Sequence, residues 1–124
     1  MLNQFELVGR AIADPNRVRI LKLLEEGELC VCQVAAVLSL APATISKHLT
    51  MLRLAGLLIQ RKDGRWVYHG LAESARNPYV MPMLTLLRGA LSDDPTVMGD
   101  KGTLRDVQRL PIAELCSTDI AAIE

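Results

Sequence analysis

Three observations predict a mainly α-helical domain carrying one small β-hairpin. Half of the 124 residues are hydrophobic, yet only Phe5, Trp66, Tyr68 and Tyr79 are aromatic, so the apolar content is aliphatic and leans toward helix. Apolar residues recur at helical spacing through most of residues 2–55 and again after residue 77. Between these stretches two strand-like runs flank Asp63-Gly64, a strong short-range hairpin signal. The length suits one domain, and a charged share of 23% leaves enough apolar material for a real core.

The elements follow in order. Leu2, Phe5, Val8 and Ile12 predict a first helix over about residues 2–13. Asp14-Pro15 reads as an N-cap followed by proline at the first helical position. Val18, Ile20, Leu21, Leu23 and Leu24 then carry a second helix over about 15–26, stopped by Gly27. A short alanine-rich helix is expected over Val31–Leu38, with a turn at 39–42. The fourth helix, about 41–55, buries a face of Ile45, Leu49 and Leu52 and closes at Gly56. The strand-like runs are 57–62 and 65–71. Val80, Leu84, Leu87 and Leu91 predict a helix over about 77–91. Residues 96–102 read as loop and 103–110 as a weak helix. Helix, helix, helix-turn-helix, hairpin, helix is the order of a winged helix-turn-helix with extra helices at both ends.

Several function classes drop out early. No apolar run is long enough to cross a bilayer; the best, 81–87, is short and broken by Pro82. The N-terminus lacks the pattern of a secretory signal, so a cytoplasmic protein with no membrane partner is expected. In a reducing compartment three cysteines read as thiols or metal ligands rather than as a disulfide framework. There is no Gly-rich phosphate loop, no Ser/His/Asp order and no pair of catalytic carboxylates, so an enzyme is not expected.

The formal net charge of zero conceals an arrangement. Residues 1–71 hold nine basic and six acidic side chains, whereas 72–124 hold five and eight. From Ala43 to Arg65 the balance is five basic to one acidic, which concentrates positive charge on the fourth helix and the hairpin. With Ile45 turned inward, Ala43, Thr44, Ser46 and Lys47 fall near the exposed side of that helix. Small and hydroxylated side chains let a helix approach base edges closely in a major groove, and Lys47 can neutralise a phosphate. Arg61, Lys62 and Arg65 stand at the hairpin tip, where a wing reaches the neighbouring backbone. His48 reads equally as a DNA contact or as a structural histidine, and His69 as structural. Double-stranded DNA is therefore the expected partner.

Cys30-Val31-Cys32 stands at the start of the third helix. The helix dipole favours thiolates there, and a thiolate pair is a soft donor set for zinc, cadmium, lead or trivalent arsenic. Residues two apart on a regular helix point to different sides, so both sulfurs can hold one ion only if the helix start bends or unwinds. The plain alternative is two small apolar core residues.

These pieces together resemble the ArsR/SmtB family of bacterial metal-responsive repressors. The resemblance rests on Asp14-Pro-Asn-Arg-Val-Arg-Ile-Leu-Lys-Leu-Leu24, Glu28-Leu-Cys-Val-Cys32, Thr44-Ile-Ser-Lys-His-Leu49, Leu52-Arg-Leu-Ala-Gly-Leu-Leu58 and Arg61-Lys-Asp-Gly-Arg-Trp-Val-Tyr68, and covers roughly residues 5–90. It implies a homodimeric winged-helix repressor, with residues 1–92 as the DNA-binding and dimerisation domain and 93–124 as a partly helical C-terminal tail. It also implies a dimer interface built from the first helix and the helix after the wing, consistent with Phe5, Val8, Leu84 and Leu87, and a two-fold symmetric operator released when an effector ion binds.

Cys-Val-Cys at this helix resembles the arsenite/antimonite sensors and also the cadmium/lead sensors. Three departures matter. The further cysteine common in the arsenite pattern is Ala35 here, the N-terminal cysteines of the cadmium/lead pattern are absent, and the helix after the wing has no carboxylate or histidine for a zinc site. The resemblance thus implies As(III) or Sb(III) as inducing ligand on Cys30 and Cys32, with Cys116 as third ligand or as a mere tail cysteine. An organoarsenical, a cadmium/lead sensor and a thiol-redox or sulfide-responsive repressor stand as alternatives.

Overall fold

Helix α1 (Leu2–Ile12) leads through a tight turn into α2 (Pro15–Leu24). The Asp14 side chain caps α2 by accepting from the Asn16 and Arg17 N–H groups at 2.8 and 3.1 Å, with Pro15 at the first position. Helix α3 (Val31–Leu38) and helix α4 (Pro42–Leu54) follow, and the chain bends by 112° between them, as in a helix-turn-helix. The bend is made at Ser39, whose φ of 56° is left-handed. The computed structural model describes residues 1–116 of the chain.

Helix α4 ends in a Schellman motif: Gly56 N–H donates to the Arg53 carbonyl and Leu57 N–H to that of Leu52. Gly56 has φ +88°, and a Cβ there would sit 3.4 Å from Val80, so the glycine permits both the stop and the packing behind it. Strands β1 (Leu58–Asp63) and β2 (Trp66–Leu71) pair antiparallel, with Leu58 opposite Leu71 and Asp63 opposite Trp66. The loop is Gly64-Arg65, one residue later than the sequence suggests, and only Gly64 takes a positive φ, the II′ pattern.

Helices α5 (Val80–Arg88), α6 (Pro95–Gln108) and α7 (Ile112–Leu115) complete the described residues. Helix α5 ends before Leu91, which is exposed in a left-handed turn rather than on the buried face. Helix α6 replaces the loop expected over 96–102. Asp94 caps it through the Thr96 and Val97 N–H groups, with Pro95 next. Val97, Leu104 and Val107 are buried, so packing stabilises a segment whose two glycines weaken its local helix preference. The Arg19 guanidinium grips Asp100 with two bonds, at 2.8 and 2.9 Å, and Lys101 lies near Glu25 and Glu26, which ties α6 to α2.

One core runs through these layers. Ile20, Leu21, Leu24, Val34, Ile45, Leu49, Leu52, Leu57, Val80, Leu84 and Leu104 are all buried in it. Mostly helical, with a two-stranded antiparallel hairpin after the helix-turn-helix, this is a winged helix-turn-helix. Among the described residues no single helix is long and apolar enough to cross a membrane.

Candidate metal centre and nucleic-acid interface

Cys30 does not lie within α3; it is the N-cap, with extended backbone at φ −92° and ψ 164°. Its N–H is accepted by the Gln33 side chain at 3.1 Å, which fixes the helix start. Cys32 is the second helical residue. The extended cap turns the Cys30 sulfur toward that of Cys32, so the expected obstacle of two residues on different sides of a helix does not arise.

The third cysteine arrives from far along the chain. Helix α6 packs on α2 and α3, α7 packs on α3, and Cys116 closes α7 by donating its N–H to the Ile112 carbonyl at 2.9 Å. The ligand atoms of Cys30, Cys32 and Cys116 all lie within 4.8 Å of one another, and the three residues are 0%, 3% and 3% exposed. Cys32 and Cys116 have Cα atoms 5.7 Å apart and are paired as a disulfide in this structure. The reduced trio offers three soft donors, with no carboxylate or imidazole among them, which suits a thiophilic ion.

The cysteine cluster is walled by Trp66 and Tyr68 of β2 and by Ile112 and Leu115 of α7. Burial first, then the nearby Cys30, raises the Tyr68 phenol above its ordinary pKa. Each ring carries an arginine: Arg61 lies 4.8 Å from the Tyr68 centroid and Arg65 4.6 Å from that of Trp66. Sequence reasoning passed over these two aromatics. Their alternate positions on a strand were the available signal, since alternation puts both on one face.

The charged surface is only partly free. Ala43, Thr44 and Lys47 are exposed on α4, and Lys62 and Arg65 on the wing. Arg61 is held by Glu28 through bonds at 2.8 and 3.0 Å, and this pairing raises the arginine's pKa and lowers the glutamate's. His48 is half-buried, with Nδ1 3.4 Å from Arg17 Nη1. Ser46, expected near the exposed side, instead turns its hydroxyl inward, buried with no hydrogen-bond partner among the described residues.

His69 lies on the opposite face of β2 from Tyr68 and is 5% exposed. Neither ring nitrogen has a hydrogen-bond partner among the described residues. With Val31, Ser46, Leu49, Thr50, Arg53 and Gln60 it lines a cavity of about 100 Å³ between wing and α4. Burial, and secondarily the Arg53 charge, pushes its pKa down from 6.5 to about 4. The unfolded chain therefore binds the extra proton between those values, so stability is fully present above pH 6.5 and falls as the pH drops toward 4. The whole effect is about 3 kcal/mol. Urea midpoints should fall between pH 7 and pH 4.5, and His69→Gln should flatten that slope. An unchanged slope in the variant would exclude His69 as its source.

Comparison with known proteins agrees with this architecture. The family model described as "Bacterial regulatory protein, arsR family" matches residues 14–60. The arsenic resistance transcriptional regulator ArsR1 of Pseudomonas putida is 46% identical over 66 residues, a match that spans 52% of either chain, about half the length of that relative. The HTH-type transcriptional regulator CmtR of Mycobacterium tuberculosis is 37% identical over 90 residues, 73% of this chain and 76% of its own. Its solved structure, described as that of a cadmium metal-sensor, aligns with a TM-score of 0.52 at 35% identity, over 76% of this chain and 86% of that one. HlyU from Vibrio cholerae aligns with a TM-score of 0.59 at 30% identity, over 69% of this chain and 89% of that one. The fold, the matched helix-turn-helix segment and the extent of the likeness to CmtR together place the chain in the ArsR family of bacterial regulatory proteins.

Proposed function

We propose that this protein is a DNA-binding transcriptional repressor, released from its operator when arsenite or antimonite binds Cys30, Cys32 and Cys116. The observation that carries this reading is the convergence of three buried sulfurs within 4.8 Å at the start of α3, the helix on which α4 rests. The arsenic resistance regulator among its relatives supports the choice of ion. Cys30 at the α3 cap, Cys32 within α3 and Cys116 after α7 would hold the ion, which would supply a soft Lewis acid to their thiolates.

DNA recognition belongs in this reading to Ala43, Thr44, Lys47 and His48 on α4, and to Arg61, Lys62 and Arg65 on the wing; Ser46, whose hydroxyl faces inward, drops out. Two copies joined through α1 and α5 would present two such surfaces to a symmetric operator. Of the residues expected at that interface only Phe5 is exposed, at 59%; Val8, Leu84 and Leu87 are buried in the core, and Phe5 with Leu86, 63% exposed, flanks an apolar groove of about 310 Å³ between these helices, as a face awaiting a second copy would.

A second reading is favoured by one observation, the 5.7 Å Cα separation of Cys32 and Cys116, which suits a disulfide. An oxidant such as hydrogen peroxide would take two electrons and two protons from these thiols and be reduced to water, and the disulfide would replace the ion as the signal. A cadmium or lead sensor uses the same soft donors.

Arsenic X-ray absorption on the reduced, arsenite-loaded protein, paired with operator binding by fluorescence anisotropy, tests the first reading. It expects a three-sulfur shell and an operator affinity about 5- to 150-fold weaker with arsenite than without. Unchanged affinity with arsenite, together with release by peroxide alone, would overturn it in favour of the redox reading.

A further inference from the structure

Strand β2 stands between the cysteine cluster and the DNA-reading elements, and its two faces touch different things. Trp66 and Tyr68, on one face, pack against Cys30, Cys32 and Cys116. His69, on the other, is buried against α4 beside Ser46, Leu49 and Arg53. The His69 backbone also pairs with Leu29, the residue before Cys30, through bonds of 2.9 and 2.7 Å. The strand is therefore tied to the start of α3 by main chain and to the cluster by side chains.

The same two rings hold the wing's arginines, with Arg65 over Trp66 and Arg61 over Tyr68. Arg61 is further held by Glu28, two residues before Cys30. A close-packed wall cannot stay in place when the groups it packs on change their spacing, and interfaces of this kind shift between discrete arrangements rather than deform smoothly. Three sulfurs gathered on one ion occupy a different shape from the Cys32–Cys116 pair with Cys30 beside it, and the rings lie directly on them.

We propose that Trp66 and Tyr68 are the positioning residues that transmit the state of the cysteine cluster to the wing, setting where Arg61 and Arg65 stand and so how strongly the wing engages DNA. This rests on the thiol-sensing reading above and adds to it the route from ion to DNA. The rings touch neither DNA nor, in this assignment, donate to the ion; they act through the arginines stacked on them.

The test uses the full chain, reduced, with arsenite as probe. Arsenite affinity is read from near-ultraviolet thiolate absorption, and operator affinity from anisotropy with and without arsenite. The decisive quantity is the ratio of the two operator dissociation constants, which cancels any change in arsenite-free binding. In the Trp66→Leu/Tyr68→Leu protein, arsenite affinity should stay within about threefold of wild type while that ratio falls at least about fivefold. The Trp66→Phe/Tyr68→Phe protein should recover the ratio to within about twofold, because flat rings are kept.

A ratio unchanged in the leucine protein overturns the proposal, as does loss of arsenite binding in parallel with the ratio, which would mean the rings merely hold the cysteines. Should the leucine protein fail to fold, wild-type emission decides. Trp66 is the one tryptophan in the chain, and emission unmoved by saturating arsenite would overturn the proposal. A wild-type ratio of one would instead overturn the sensing reading, and this route with it.

Discussion

Replacing Cys30 or Cys32 by serine is expected to abolish the arsenite response while leaving operator binding in place. A serine hydroxyl is nearly the size of a thiol but is not ionised at neutral pH, so the variant keeps the packing and loses a soft anionic donor. Even outer partners of a metal site change affinity by about 10- to 100-fold, so losing a direct thiolate should raise the arsenite needed for half-release by roughly 100-fold or more. Operator affinity without arsenite should change little, because both side chains are buried at the start of α3, away from the exposed face of α4. The pattern across three cysteines separates the readings. If ion binding is the signal, Cys30→Ser, Cys32→Ser and Cys116→Ser all blunt arsenite release. If oxidation of the Cys32–Cys116 pair is the signal, Cys30→Ser stays fully responsive to peroxide and the other two do not. Arsenite release that persists normally in both Cys30→Ser and Cys32→Ser would remove the proposed site.

The cysteine site was half legible in the sequence, and the division has a physical reason. Cys30 and Cys32 announce themselves by spacing and by their place at a helix start. Their convergence depends on Cys30 adopting an extended N-cap conformation, and cysteine is not among the residues whose side chains signal a cap. Cys116 joins them because α6 docks on α2 and α3 and α7 docks on α3, the first of these contacts fastened by an Arg19–Asp100 pair separated by 81 residues of sequence. Nothing local encodes such a pairing.

Helix α6 shows the same limit from the other side. Its start, Asp94-Pro95, repeats the Asp14-Pro15 signature that marks α2, but it stands only a few residues after α5, where aspartate and proline equally suit a helix stop. Gly99 and Gly102 then hid a burial pattern visible only once Val97, Leu104 and Val107 have something to pack against. The helix-turn-helix and wing, by contrast, were readable because their signals are local: Ile45, Leu49 and Leu52 at helical spacing, Gly56 at the stop, and Asp63-Gly64 within one residue of the hairpin loop. What the strand's inner face touches was not readable, which is why Trp66 and Tyr68 became visible as the cluster's wall only in three dimensions.

Lys22→Ala is expected to be the most destabilising single change outside the apolar core. Lys22 is 1% exposed, and its Nζ donates to the Leu87 carbonyl at 2.7 Å and to Glu25 at 3.0 Å. The first bond adds a charged donor to a carbonyl in the last turn of α5 that also accepts from the Ala90 N–H, and a cation there is favoured by the helix dipole. The lysine thus fastens α2 to the end of α5. Breaking a buried, hydrogen-bonded charge pair by removing one partner costs about 3–5 kcal/mol, because the group left behind keeps its desolvation penalty. Here Lys101, 3.9 Å from Glu25, softens part of that penalty. Lys22→Met, which keeps the stem's packing, should therefore lose less, about 2–3 kcal/mol. Lys22→Met/Glu25→Gln should recover part of the difference, since no unpaired charge remains. Against a typical domain stability of about 5–15 kcal/mol, the alanine change removes a large share. Urea unfolding at pH 7 and fixed protein concentration measures it, the concentration being held because a second copy bound through α5 would add to apparent stability. A Lys22→Met protein that unfolds at the wild-type midpoint would mean the buried ammonium contributes no net stability. Loss of operator binding in a Lys22→Met protein that is still folded would tie this fastening of α5 to the pairing of two copies rather than to the core alone.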